Sequence, residues 1–223
     1  MKPLERVRAF VAVNLPAEAV TRVAELQRQL KPKAAGLGLR LGWISPANLH
    51  VTLKFLGEIP REVVPAISAA LERCVAGIEP LPVTVQGVGA FPSPARPRVI
   101  WVGVQSPGGA LEKLAARVEH ALGELGFSPE ARPFHAHLTI GRVREGGGDL
   151  TAGAPEAPVD QCALSELVLY QSVLSSRDAE YTPLFRLPLP QPPRAARERA
   201  ERRAEESSRD GEEGSEDARD DDT

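Results

Sequence analysis

Cysteine is almost missing from this chain of 223 residues: only Cys74 and Cys162 occur, far apart and in no CxxC pair. That excludes a disulfide framework and a zinc ribbon, and two reduced, buried thiols are expected. Long apolar runs are missing too. No stretch approaches ~18 uninterrupted apolar residues, so no membrane span and no membrane partner are expected. The charged start, Met1 to Arg8, is not followed by the apolar core of a signal peptide, so a cytoplasmic protein is expected. Nucleotide-cradling glycine patterns are absent: Gly36-Leu37-Gly38 lacks a third glycine, and neither a Walker pattern nor a G-x-S-x-G nucleophile elbow occurs. A large charge of one sign is also lacking, since the net charge is −3.

That small net charge hides an asymmetry. Residues 194–223 hold 7 Arg against 12 Asp and Glu, which leaves 20 basic and 18 acidic residues for the rest. A slightly basic body suits a phosphate-bearing ligand, but the excess is too small to predict nucleic-acid binding by itself. Pro188, Pro190, Pro192 and Pro193 stop regular structure, and no large apolar residue follows Ala204. Such a tail cannot bury enough surface to offset its ordering entropy. The expected organisation is a folded domain over residues 1–190 and a charged, largely disordered tail over 191–223.

The body reads as alternating strands and helices. Strand patterns cover residues 8–15, 41–44, 49–56, 81–88, 98–104, 137–143, 166–172 and 181–187. Helical spacing covers residues 16–30, where Val20, Val23, Ala24, Gln27 and Leu30 fall in phase, then 60–75 and 109–125, the last with Gly126 as C-cap. Each half holds a strand, a helix and a His-x-Thr strand. The expected fold class is therefore α+β, internally duplicated, with two lobes facing each other.

The chemistry lies in His50-Val51-Thr52-Leu53 and His137-Leu138-Thr139-Ile140. Side chains alternate along a strand, so each strand offers one imidazole and one hydroxyl on one face and aliphatic residues on the other. Four His and seven Thr in this chain give roughly 0.13 such pairs by chance, so two in matching contexts is a specific signal. Imidazole titrates near neutrality, so one His can take a proton from water while the other gives one to a leaving alkoxide. The hydroxyls can donate to non-bridging phosphate oxygens, where charge accumulates. No metal and no cofactor are required. His135 and His137 could ligate zinc or copper, but no carboxylate or Cys spacing completes a site.

The motifs and their flanks resemble the 2H phosphoesterases, most closely the bacterial and archaeal RNA 2′,3′-cyclic phosphodiesterases, also called 2′-5′ RNA ligases (LigT-like). The resemblance runs over residues 6–187. It includes the strand from Arg8 to Leu15, the block from Trp43 to Glu58, Phe91-Pro92-Ser93-Pro94, Leu169-Tyr170-Gln171-Ser172 and Tyr181-Thr182-Pro183-Leu184. Ala136 departs from the family, which usually has Pro before the second catalytic His; this restores a backbone N–H and leaves the motif intact.

The resemblance implies a bilobal fold of antiparallel-rich sheets flanked by helices, with both motifs lining the cleft. It implies hydrolysis of a terminal 2′,3′-cyclic phosphate on RNA, tRNA fragments among the candidates, to a 2′-phosphomonoester. His50 would be the proton donor and His137 the proton acceptor, although residue chemistry alone does not assign which is which. Thr52 and Thr139 would hold the phosphate. Arg142 is a further candidate phosphate ligand, yet strand parity from His137 puts it on the wrong face unless Gly141 bulges the strand. Trp43, Phe55 and Tyr170 are candidate base contacts, and Trp101 offers the same chemistry. Lys54, Arg96, Arg98, Arg132, Arg142 and Arg144 could extend a backbone-binding surface. A monomer is expected, and reversible 2′-5′ joining of RNA is open to the same site. The alternatives are a non-catalytic RNA-end or nucleotide-binding module and a 2H enzyme acting on a small cyclic nucleotide.

Overall fold

Alternation along the opening segment sets the plan of the molecule. In β1 (Arg6–Asn14), Val7, Ala9, Val11 and Val13 point into the core, which turns Phe10, Ala12 and Asn14 to the opposite face of the sheet. The computed structural model describes residues 5–154, 157–174 and 179–189. After β1 come α1 (Ala17–Gly36), β2 (Arg40–Trp43), β3 (His50–Pro60), α2 (Val64–Val75), β4 (Leu81–Phe91), β5 (Val99–Gln105) and α3 (Ala110–Glu124). The chain closes with β6 (His137–Glu145), β7 (Asp160–Leu164), β8 (Glu166–Leu174) and β9 (Ala179–Pro188).

The helices form where apolar residues recur at helical spacing. On α3, Leu111, Leu114, Ala115, Val118 and Leu122 are buried, and each large side chain contributes about 1.5–3 kcal/mol over an exposed one. The Ser106 hydroxyl accepts from the Leu111 N–H at 2.9 Å near the start of this helix. Gly126, at φ 86°, closes its end with a conformation that side-chain-bearing residues rarely adopt.

All strand pairings are antiparallel. The order is β7-β4-β5-β6-β3-β1-β8-β9, with β2 also pairing to β6. The sheet is pinched at its centre, where β3 and β6 meet through one pair, Val51 and Leu138. Two half-sheets result, β7-β4-β5-β6-β2 and β3-β1-β8-β9. They do not coincide with the halves of the chain, because β2 crosses into one and β8 and β9 return to the other. Helix α1 packs against β2 and β7, while α2 and α3 pack on each other and against β9 and β3. The helices and core thus cover one face and leave the other open.

The expected elements form within four residues of their sequence-based limits, except that α1 runs six residues further, through Pro32 to Gly36. One strand, β7, had no signal: Asp160-Gln161-Cys162-Ala163-Leu164 carries no β-branched residue and lies at an edge of the sheet. The second helix opens with a 3₁₀ turn, Arg61–Val63. No helix among the described residues is long and apolar enough to cross a membrane. The acidic tail lies outside the described residues.

Candidate active site

The two His-x-Thr motifs flank the central pair of the sheet. Val51 and Leu138 are fully buried and face the helices, so His50 and Thr52, on either side of Val51, face the open side. His137 and Thr139 do the same around Leu138. Antiparallel geometry then sets His50 towards Thr139 and Thr52 towards His137, related by an approximate two-fold axis through the central pair.

Both imidazoles are anchored in the same way. His50 Nδ1 lies 2.8 Å from the Asn48 carbonyl oxygen, and His137 Nδ1 lies 2.7 Å from the His135 carbonyl oxygen. A carbonyl can only accept, so each Nδ1 carries the proton and donates it. Each Nε2 is therefore the titrating nitrogen. In His50 it accepts from the Thr52 hydroxyl at 3.1 Å. The Asn48 side chain donates to the Ala179 carbonyl at 2.7 Å and ties this anchor to β9.

Burial pushes the His50 pKa down to about 4, with the positive charges of Arg142 and His137 adding to the shift and the Asn48 hydrogen bond opposing it. Burial also lowers the His137 pKa, helped by the charges of His135 and Arg142 and opposed by the His135 hydrogen bond. Both rings are neutral near pH 7 before an anion arrives. The charge of Arg142 acts on both histidines, so its guanidinium lies near both rings.

Two bulges decide which neighbours join the histidines. On β6, Thr139 pairs with Trp101 and Gly141 pairs with Ile100, so Ile140 is passed over. Arg142 then pairs with Val99, on the same face as Trp101 and Thr139. The parity objection to Arg142 is thereby removed. On β3, Thr52 pairs with Ala12 while Lys54 pairs with Val11, so Leu53 is passed over. Phe55 pairs with Phe10 and joins the open face, where it is 59% exposed. The positions five residues after each histidine, Phe55 and Arg142, are thus equivalent.

The same shift corrects two expectations. Lys54 does not extend a backbone-binding surface: its side chain is buried, and Nζ donates to both carboxylate oxygens of Glu119 and to the Ser128 carbonyl, each at 2.8 Å. Trp43 does not face the histidines either. It pairs with Gly141, whose other partner, Ile100, is core, and it packs against the hydrophobic core.

Aromatic rings wall the site on both sides. Phe10 lies 4.9 Å from His50 between ring centroids and stacks on Tyr170 at 5.3 Å, while Tyr181 meets His50 edge-on at 5.3 Å. Tyr170 donates to Asn14 Oδ1 at 3.0 Å, and Asn14 Nδ2 donates to Glu166 at 3.0 Å. Arg186 holds Glu166 at 2.7 Å. Across the site, Phe91 meets His137 edge-on at 5.1 Å, and Trp101 meets His135 at 4.9 Å. The Trp101 ring lies directly over Gly89, where a Cβ would fall 2.1 Å from Cζ2, so only glycine fits there. Sequence reasoning missed Phe10, Asn14 and Phe91 as parts of this site. The polar Asn14, in phase with Phe10 and out of phase with Val11 and Val13, was the available signal.

Known proteins resemble this chain in sequence and in fold. The LigT like Phosphoesterase family model matches residues 13–101 and 102–177. The RNA 2′,3′-cyclic phosphodiesterase of Aeropyrum pernix is 33% identical over 163 residues, covering 70% of this chain and 91% of that protein. A crystal structure from Thermus thermophilus superposes with a TM-score of 0.71 at 27% identity, covering 82% of this chain and 98% of that one. Escherichia coli LigT complexed with 3′-AMP gives a TM-score of 0.66 at 29% identity, covering 84% of this chain and 100% of that one.

Proposed function

Because this chain belongs to the LigT-like phosphoesterase family, we propose that it is an RNA 2′,3′-cyclic phosphodiesterase whose two histidines exchange protons with water and the leaving group. The observation that carries the reading is the paired anchoring: two imidazoles, each held through Nδ1 by the carbonyl two residues before it, present two Nε2 atoms about a shared axis. One acid and one base are what opening a cyclic phosphate needs.

In this mechanism His137 Nε2 takes a proton from water as the water oxygen attacks phosphorus. The bond from phosphorus to O3′ breaks, and His50 Nε2 delivers its proton to O3′. A 2′-phosphomonoester results, and the proton count balances between the two rings. The free site has both rings neutral, so the reaction needs one proton to arrive with the substrate. The phosphodiester anion supplies the reason: its charge beside His50 raises a pKa that burial lowers. Thr52 and Thr139 donate to the non-bridging oxygens, and Arg142 balances their charge as it grows. Phe10, Tyr170, Tyr181 and Phe55 on one side, and Trp101 on the other, offer ring faces to the terminal base. The protein acts as a cytoplasmic monomer on RNA ends such as those of cleaved tRNA, and the same site joins 2′-5′ ends when a 5′ hydroxyl replaces water.

The test is a short RNA ending in a 2′,3′-cyclic phosphate, incubated with excess EDTA. Wild type yields the 2′-phosphate, and His50→Ala and His137→Ala each lose turnover by roughly 10²-fold or more. A 3′-phosphate product, full activity in either variant, or dependence on metal would overturn the reading.

A further inference from the structure

Gln27 lies on α1, on the helix-covered side of the sheet, away from the histidines. It is 5% exposed and is one of three buried polar or charged residues among those described, with Lys54 and Ser68. A buried amide is costly unless its hydrogens are used. Both are: Gln27 Nε2 donates to the Ile44 carbonyl and to the Ile140 carbonyl, each at 2.8 Å. The Ile140 carbonyl also accepts from the Ile44 N–H at 3.0 Å.

Ile140 is the residue passed over in the β5–β6 ladder. In a regular strand its carbonyl would stay in the ladder, and Arg142 would share a face with Ile140 and turn to the core, because one residue of slip exchanges the two faces. Gln27 clamps that carbonyl and the end of β2 together. Lys54 does the matching service for β3, since its pinned ammonium fixes the residue that follows the passed-over Leu53.

We propose that Gln27 is a positioning residue that keeps Arg142 beside the two histidines by holding β6 in its bulged register. The proposal rests on the hydrolase reading for its kinetic consequence but not for its structural one. Without the amide, Ile140 loses one of its two donors and Ile44 loses its side-chain partner. The strand is then free to regularise, and Arg142 leaves the phosphate site.

The test uses the full chain with Gln27→Met, Arg142→Ala and the double variant, each with thermal unfolding measured alongside. Gln27→Met lowers kcat on the cyclic-phosphate RNA by roughly ten- to a hundred-fold, as expected for a misplaced catalytic group. The double variant is no slower than Arg142→Ala alone, because both changes remove one function. Independent losses that multiply, or an unchanged kcat, overturn the proposal. A second arm needs no substrate: the His50 and His137 imidazoles are titrated by NMR. The charges that act on them are those of Arg142 and His137 at His50, and of His135 and Arg142 at His137. Arg142→Ala raises both midpoints, and Gln27→Met raises them in the same way. Midpoints that stay at wild-type values in Gln27→Met sink the clamp even where catalysis is slow. A wild type that fails to hydrolyse the RNA refutes the functional reading, and the titrations still judge the clamp. Should Gln27→Met not fold, Gln27→Glu, which as the neutral acid keeps a single donor, takes its place in both arms.

Discussion

At the scale of single residues, the site depends on imidazoles kept neutral by burial. An unfolded histidine takes up a proton as the pH falls below about 6.5. His50 in the fold does so only near about 4. Between these values the unfolded chain binds the extra proton, so stability falls as the pH falls from about 6.5 towards 4 and does not change through this group above 6.5. His137, also lowered by burial, adds to the same slope. The unfolding temperature followed by circular dichroism is therefore lower at pH 5 than at pH 7, and His50→Gln shows a smaller drop. An equal drop in both proteins would exclude His50 as a source. The alternation of His and Thr was legible in the sequence. The side taken by Phe55, Lys54 and Arg142 was not, because each follows a bulge that shifts parity by one.

At the scale of elements, the feature that matters is a strand that runs straight through its His-x-Thr pair and then bulges. On β3 the bulge leaves Lys54 pointing into the core, where Glu119 of α3 neutralises it. Removing one partner of such a pair leaves the other charge uncompensated, whereas replacing both with apolar groups is much less harmful. Lys54→Met should destabilise the protein by about 3 kcal/mol, towards the lower end of this class because Glu119 is 31% exposed. Lys54→Met with Glu119→Leu should recover most of it in urea denaturation. A double variant as unstable as the single one would show that packing, not charge, sets the cost. The same two variants read out β3: where the ammonium fixes the strand, Phe55 leaves its place beside Phe10.

At the scale of the whole molecule, two half-sheets share one pair of residues, and each half carries one histidine. Strand exchange between the halves of the chain, β2 one way and β8 with β9 the other, ties them together without a continuous ladder at the centre. The charge balance of the chain acts at this scale as well. The tail segment 194–223, with 12 acidic residues against 7 Arg, opposes an approaching polyanion. Ending the chain at Pro193 should lower KM for RNA a few-fold at low salt while kcat stays the same. The difference should vanish at about 1 M salt, where the screening length is about 3 Å. A salt-independent change in KM would point to direct contacts by the tail instead.

The sequence by itself determined the two His-x-Thr strands, the helices around them, the α+β class and the family, because these depend on local periodicity and on short motifs. Only the tertiary structure decided that the motif strands meet at a single buried pair, that Arg142 and Phe55 turn to the histidines while Lys54 and Trp43 turn away, and that Gln27 reaches across from a helix to the β6 bulge. Those outcomes depend on which residue a neighbouring strand passes over. That choice is fixed by hydrogen bonds between segments up to 113 residues apart, which no local pattern encodes.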